Sequence, residues 1–157
     1  MKIALISVGK TDNSLFRKII DEYVNRVNHY IPFEIIYLPD LKNRKSISEE
    51  EQKNQEGEKL LKIIEPTDYI VLLDDKGKTY SSVEFARYIE KKMHFVPKRL
   101  VFLIGGPYGF SKKIYDVASE KISLSKMTFT HQMVRMVFTE QLYRAMTILN
   151  NEPYHHE

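Results

Sequence analysis

The 157-residue chain contains no cysteine, which excludes disulfides, a thiolate zinc site and a cysteine nucleophile. Five histidines remain, but His29 and His94 stand alone and His155-His156 lacks an i, i+4 partner on a clear helix. No metal site is expected. Long apolar runs are also missing. The opening MKIALISVGK is too short to span a membrane and has no small-residue cleavage site, so the expectation is a soluble cytoplasmic protein. No Gly-Lys-Ser/Thr follows a glycine-rich loop, which removes the Walker phosphate loop. No G-x-G-x-x-G opens a helix after the first strand, which removes the dinucleotide fingerprint. Internal repeats, low-complexity stretches and linkers are absent as well. With 43% hydrophobic residues, the chain is expected to form one domain over 1–157 with a proper core.

What is present alternates regularly. Apolar strand patterns occur at Lys2 to Val8, Phe33 to Leu38, Tyr69 to Leu73, Leu100 to Ile104 and Lys121 to Leu124. Helical patterns lie between them. Thr11, Asp12 or Asn13 can cap the first helix, whose stripe is Leu15, Phe16, Ile19, Ile20, Tyr23, Val24 and Val27. Ser48 to Glu51 and Ser81 to Glu84 each fit a capping box. The helix after Ser48 continues to Ile64 despite Gly57, reading as charged, largely exposed, and packed through Leu60, Leu61 and Ile64. Asp74 to Lys78 reads as a turn. Strand–helix alternation with apolar strands predicts an α/β fold, a mostly parallel sheet with helices on both faces.

In such a sheet, loops leaving the strand ends bind the ligand. Three qualify: Leu73 to Gly77, Gly105-Gly106-Pro107-Tyr108-Gly109, and Leu124 to Phe129. Backbone and apolar side chains dominate them, which suits an adenine and a thioether better than a pyrophosphate. The last helix begins near His131. At 100 degrees per residue, His131, Gln132 and Thr139 fall within about 60 degrees of Arg135, and Glu140, Gln141, Arg144 and Thr147 lie roughly opposite. The polar stripe changes face midway, so this helix is expected to be buried on two sides, the second against another copy of the chain. Arg144 can pair with Glu140 four residues earlier. Arg135 has no acid three or four positions away, and is expected to meet a ligand or an RNA phosphate. From Lys98 onward there are eight Lys and Arg against five Asp and Glu, whereas residues 1–97 carry sixteen of each. A local basic excess suits a phosphate-bearing partner. Tyr154 and His155, after Pro153, offer an aromatic for stacking and an imidazole for proton handling.

Taken together, Ile104-Gly105-Gly106-Pro107, Ser123 to Phe129, His131-Gln132-Met133-Val134-Arg135, Glu140 to Ala145 and the Tyr154-His155 ending resemble the ribosomal RNA large subunit methyltransferase H family, small enzymes of the SPOUT class. The likeness extends over the whole chain. It implies a C-terminal trefoil knot, an obligate homodimer, S-adenosylmethionine as methyl donor, and N3 of a pseudouridine in 23S rRNA as acceptor. By position it implies that Leu73, Gly105, Leu124, Ser125, Lys126, Met127, Thr128 and Phe129 contact the cofactor. Arg135, Tyr154 and His155 match positions near the acceptor. Thr130 stands where the family commonly has proline, and a threonine can cap the helix instead. His156 and Glu157 replace the family's usual terminal Lys or Arg, which removes a cationic RNA contact.

The expected chemistry is direct transfer from the sulfonium, with the protein holding donor and acceptor together. N3 must lose a proton, and His155 is the candidate base, with Tyr154 stacking on the ring. Two other classes fit the same loops: a non-catalytic ribosome-binding or assembly protein, which would bind no S-adenosylmethionine, and a flavodoxin-like nucleotide enzyme, which would need no RNA.

Overall fold

The computed structural model describes residues 1–156, so the expectation touching Glu157 lies outside it. The elements are β1 (Lys2–Val8), α1 (Ser14–Val27), β2 (Phe33–Leu38), α2 (Glu49–Leu61), β3 (Tyr69–Thr79), α3 (Ser82–Phe95), β4 (Arg99–Ile104), α4 (Lys112–Val117), β5 (Glu120–Ser123) and α5 (His131–Leu149). The strands form one sheet in the order β2-β1-β4-β3-β5, and every pairing is parallel. Successive side chains of β1 point to opposite faces. Ile3 and Leu5 join Phe85 and Ile89 of α3 and Phe138 and Leu142 of α5. Ala4 and Ile6 join Leu60 of α2 and Ile114 of α4. Helices therefore cover both faces, as the apolar strands require. On the first face α5 packs against both α1 and α3.

Local chemistry sets the helix starts. The Asn13 side chain accepts from the N–H groups of Leu15 and Phe16. Ser81 and Glu84 close both halves of a capping box, at 3.2 Å and 2.7 Å. Ser48 accepts from Glu51 N at 3.1 Å as a simple N-cap, without the return bond of a box. Thr130 accepts from Met133 N, so threonine caps α5 at the proline position. Of the apolar stripe on α1, Leu15 and Ile19 remain exposed.

Two elements depart from expectation. The turn read over Asp74 to Lys78 lies inside β3: Leu73 and Lys78 both align with Ile122 of β5, so residues 74–77 form a four-residue excursion. Gly77 allows it, because a Cβ there would sit 2.4 Å from the Ile122 backbone. On α2, which ends at Leu61 and not at Ile64, the buried residues are Gln52, Glu56, Gly57 and Leu60, whereas Leu61 and the following Ile64 are only half-buried. Hydrophobic spacing cannot reveal a buried carboxylate.

Candidate functional site

Parallel strands bring their carboxyl ends to one edge, and here the three loops meet. A cleft of about 150 Å³ lies between Leu73, Asp74, the Leu124-Ser125 turn, Phe129 and Val134. An adjoining cleft of about 430 Å³ runs between Asp74 to Lys76, Gly105 to Phe110, Tyr115 and His131. Leu73, Asp74, Asp75, Phe129 and Val134 line both. The combined space is in the range of small-molecule sites. Met127 and Thr128 also line the smaller cleft, Met127 being 79% exposed at its rim. Lys126 is exposed and lines neither.

Each loop has a local cause. Ser123 Oγ donates to Ser125 O at 2.7 Å and Met127 N donates to Ser125 Oγ at 2.9 Å, folding the chain back after β5. Gly109 has φ +84°, a left-handed conformation open to glycine. Its N–H donates to Gly106 O at 3.1 Å and closes the turn after β4. Asp74 is pinned by the excursion: Lys76 N donates to Oδ1 at 2.8 Å, and the Tyr115 hydroxyl donates to Oδ2. Burial opposes ionisation of Asp74, but the Tyr115 and Lys76 hydrogen bonds outweigh it and hold the carboxyl below its ordinary range. Burial and the same contact push the Tyr115 hydroxyl up to about 12.

Apolar walls, glycine backbone and an ionised carboxylate suit an adenosine carrying a positive sulfonium. Two aspartates against Lys76 do not suit a pyrophosphate. Val134, Tyr115 and the anionic setting of Asp74 were not singled out from sequence. Asp74 and Asp75 were legible as a loop, but their direction depends on the excursion in β3.

Arg135 is placed elsewhere. It is 1% exposed, and its guanidinium donates to Ser7 Oγ (2.7 Å), Thr11 Oγ1 (3.0 Å), Val8 O (2.8 Å) and Gly9 O (2.9 Å). Its charge also lies 5.3 Å from the Tyr37 ring centre. Four oxygens take four of its five donors, so the expected contact with a ligand or phosphate is replaced by a structural one. Arg135 ties α5 to the end of β1. Burial lowers its pKa, with Tyr37, Asp40 and Asp12 opposing. The polar positions of α5 are likewise interior in part. Arg135, Thr139 and Thr147 are all buried, and the two hydroxyls donate to the carbonyls of Arg135 and Arg144 at 2.7 Å.

Arg144 does pair with Glu140, at 2.5 Å. It also gathers the C-terminal tail. Its Nη1 approaches His155 Nδ1 at 3.3 Å, and its guanidinium lies 4.8 Å from the Tyr154 ring centre. Arginine can only donate, so Nδ1 is the accepting nitrogen of this contact. The Tyr154 hydroxyl donates to Glu140 Oε1 at 3.0 Å and lies 3.1 Å from the Tyr23 hydroxyl. Burial, Tyr23 and Glu140 together raise its pKa. The ten residue steps from Val134 to Arg144 span about 15 Å of helix. The tail therefore lies along α5 from the clefts of its own protomer, and the structure does not bring Tyr154 and His155 together with the loops.

A family model for predicted SPOUT methyltransferases matches residues 1–155. A Parabacteroides distasonis protein named ribosomal RNA large subunit methyltransferase H is 65% identical over all 157 residues of both chains. A Phocaeicola vulgatus protein of the same name is 60% identical over the same full length. Among solved structures, a probable methylase family protein from Haemophilus influenzae superposes with a TM-score of 0.53 at 12% identity. That match takes in 95% of this chain and 66% of the other, and speaks to the fold alone.

Proposed function

The chain belongs to the SPOUT methyltransferase family, and from that premise we propose that this large-subunit rRNA methyltransferase moves a methyl group from S-adenosylmethionine to N3 of a pseudouridine in 23S rRNA. One observation carries the reading: the loops after β3, β4 and β5 converge on a cleft with apolar walls and an ionised Asp74. Leu73, Gly105 and the run Leu124 to Phe129 would hold the donor, with Lys126 contributing through backbone. Bound there, S-adenosylmethionine supplies an electrophilic methyl on a cationic sulfur. Asp74 offers the charge that such a cation favours, and the apolar walls exclude water.

On the acceptor side we assign the N3 proton to His155. The basic atom is Nδ1, which Arg144 occupies in this conformation, so that hydrogen bond opens when RNA docks. Tyr154 supplies a ring face beside it. Because the tail lies away from its own clefts, these two residues serve the pocket of a second copy in a homodimer. Leu15 and Ile19, exposed on α1, give that copy an apolar surface. The return of α5 from the edge strand β5 to α1 accords with a trefoil knot through the C-terminal loops. A cytoplasmic place of action follows from the rRNA substrate.

The test is methylation of ribosomes from a strain lacking this protein, followed by mapping of the modified nucleotide. A single new methyl on a pseudouridine ring is expected. Methylation at another kind of nucleotide, or none, would overturn the reading. For His155→Ala, single-turnover transfer is expected to fall and to lose its pH dependence; an unchanged profile would remove His155 as the base.

A further inference from the structure

Behind the glycine loop lies a carboxylate that this mechanism does not use. Glu56, in the middle of α2, is 5% exposed. Its Oε1 accepts from Gln52 Nε2 at 3.0 Å, while Oε2 has no hydrogen-bond partner among the described residues. Leaving such an atom buried is costly. Burial, reinforced by Asp40 and opposed by Gln52, Lys59 and Arg44, raises the carboxyl's pKa. Oε2 presses on the loop backbone: a Cβ added to Gly106 would sit 2.2 Å from it. The space between α2 and the loop is too narrow for a water molecule. The next residue of α2 repeats the close approach, since a Cβ on Gly57 would sit 2.3 Å from Ser111 Oγ. Glu56-Gly57 thus grips the segment from Gly106 to Ser111 at both ends. Gly106 faces Glu56 on one side and the larger cleft on the other. This also accounts for a glycine in mid-helix, which otherwise costs helix stability.

We propose that Glu56 is a positioning residue for the methyl-donor site, its free Oε2 being the acceptor that holds the Gly105–Gly106 peptide when the loop settles on the donor. The proposal rests on the reading that this cleft takes S-adenosylmethionine. An acceptor kept open explains an orphaned carboxylate oxygen that folding alone would eliminate. Function commonly sets such groups against stability.

Glu56→Gln provides the test, because it keeps the shape. The Gln52 amide claims the remaining oxygen, so the new NH₂ occupies the Oε2 position and offers a donor where an acceptor is needed. Isothermal titration with S-adenosylmethionine is expected to show affinity about tenfold weaker than in the parent protein. The melting temperature of the ligand-free variant at neutral pH is expected to stay level or rise, since burial no longer acts against the ionisation of this side chain. A structural residue would move both readouts downward together, and that result would overturn the proposal, as would unchanged affinity. Gly106→Ala is expected to weaken binding by itself, and in the double variant with Glu56→Gln the two losses are expected to be less than additive. Strictly additive losses would mean that Glu56 does not act through Gly106. If the parent protein itself binds no S-adenosylmethionine, the donor-site reading fails, and the proposal with it.

Discussion

Arg135 shows how one side chain can be misjudged from its sequence neighbours. Lacking an acid at helical spacing, it looked free for phosphate, yet its partners lie more than a hundred residues away on β1 and the loop that follows. Arg135→Ala removes four hydrogen bonds from a buried site. The expected loss is about 3–5 kcal/mol, or a fall of roughly 10 °C in melting temperature for a chain of this size. Lysine will not rescue it, because one ammonium cannot reproduce the guanidinium fork. At the other end of the sheet, Glu120 accepts from the Tyr69 hydroxyl at 2.8 Å and pairs with Lys92. Burial opposes its ionisation, but Lys92 and Tyr69 prevail and its pKa is lowered. A carboxylate whose folded pKa lies below its unfolded value of 4.5 stabilises the fold above that value. The contribution is lost as pH falls through the folded pKa. Melting curves between neutrality and pH 3 should therefore show a shallower acid decline for Glu120→Gln than for the parent protein.

At the scale of elements, β3 is where local and long-range rules compete. The sequence Asp-Asp-Lys-Gly reads as a turn, and those residues do leave the sheet, but the chain rejoins β5 four residues later on the same partner, Ile122. The register is set by pairing between segments some fifty residues apart, which local propensity cannot see. Gly77 makes it possible. Its replacement by alanine would press a methyl group onto the Ile122 backbone, an atom set with no rotamer to yield. Gly77→Ala is expected to cost about 1–3 kcal/mol in urea unfolding. It should also displace Asp74, so S-adenosylmethionine affinity should fall as well; a variant that binds normally would detach the excursion from the site. The helix starts, by contrast, were readable. Asn13, Ser81 and Thr130 act on N–H groups two or three residues ahead, a range a sequence displays directly.

For the whole molecule, the decisive matter is that the tail and the clefts are separated within one protomer. If the tail of one copy completes the cleft of another, two inactive variants should complement each other. Mixing His155→Ala protomers with protomers blocked in the cleft by Leu124→Arg is expected to restore about one quarter of parental activity, from statistical pairing in a two-fold dimer. No recovery would place the tail's action within its own chain. Binding to ribosomes should weaken steeply with added salt, since rRNA recognition draws on phosphate contacts.

The alternation of elements, the parallel sheet and the three loops at its carboxyl edge were determined by the sequence alone, because apolar periodicity and capping residues act over a few positions. The family resemblance was legible in the same way, in short runs such as Ser123 to Phe129. Only the tertiary structure decided that Arg135 is interior, that Asp74 is thrust into a cleft and that Glu56 stands behind Gly106. Those facts depend on which distant parts of the chain pack against a side chain, and that is a property of packing, with no trace in local spacing.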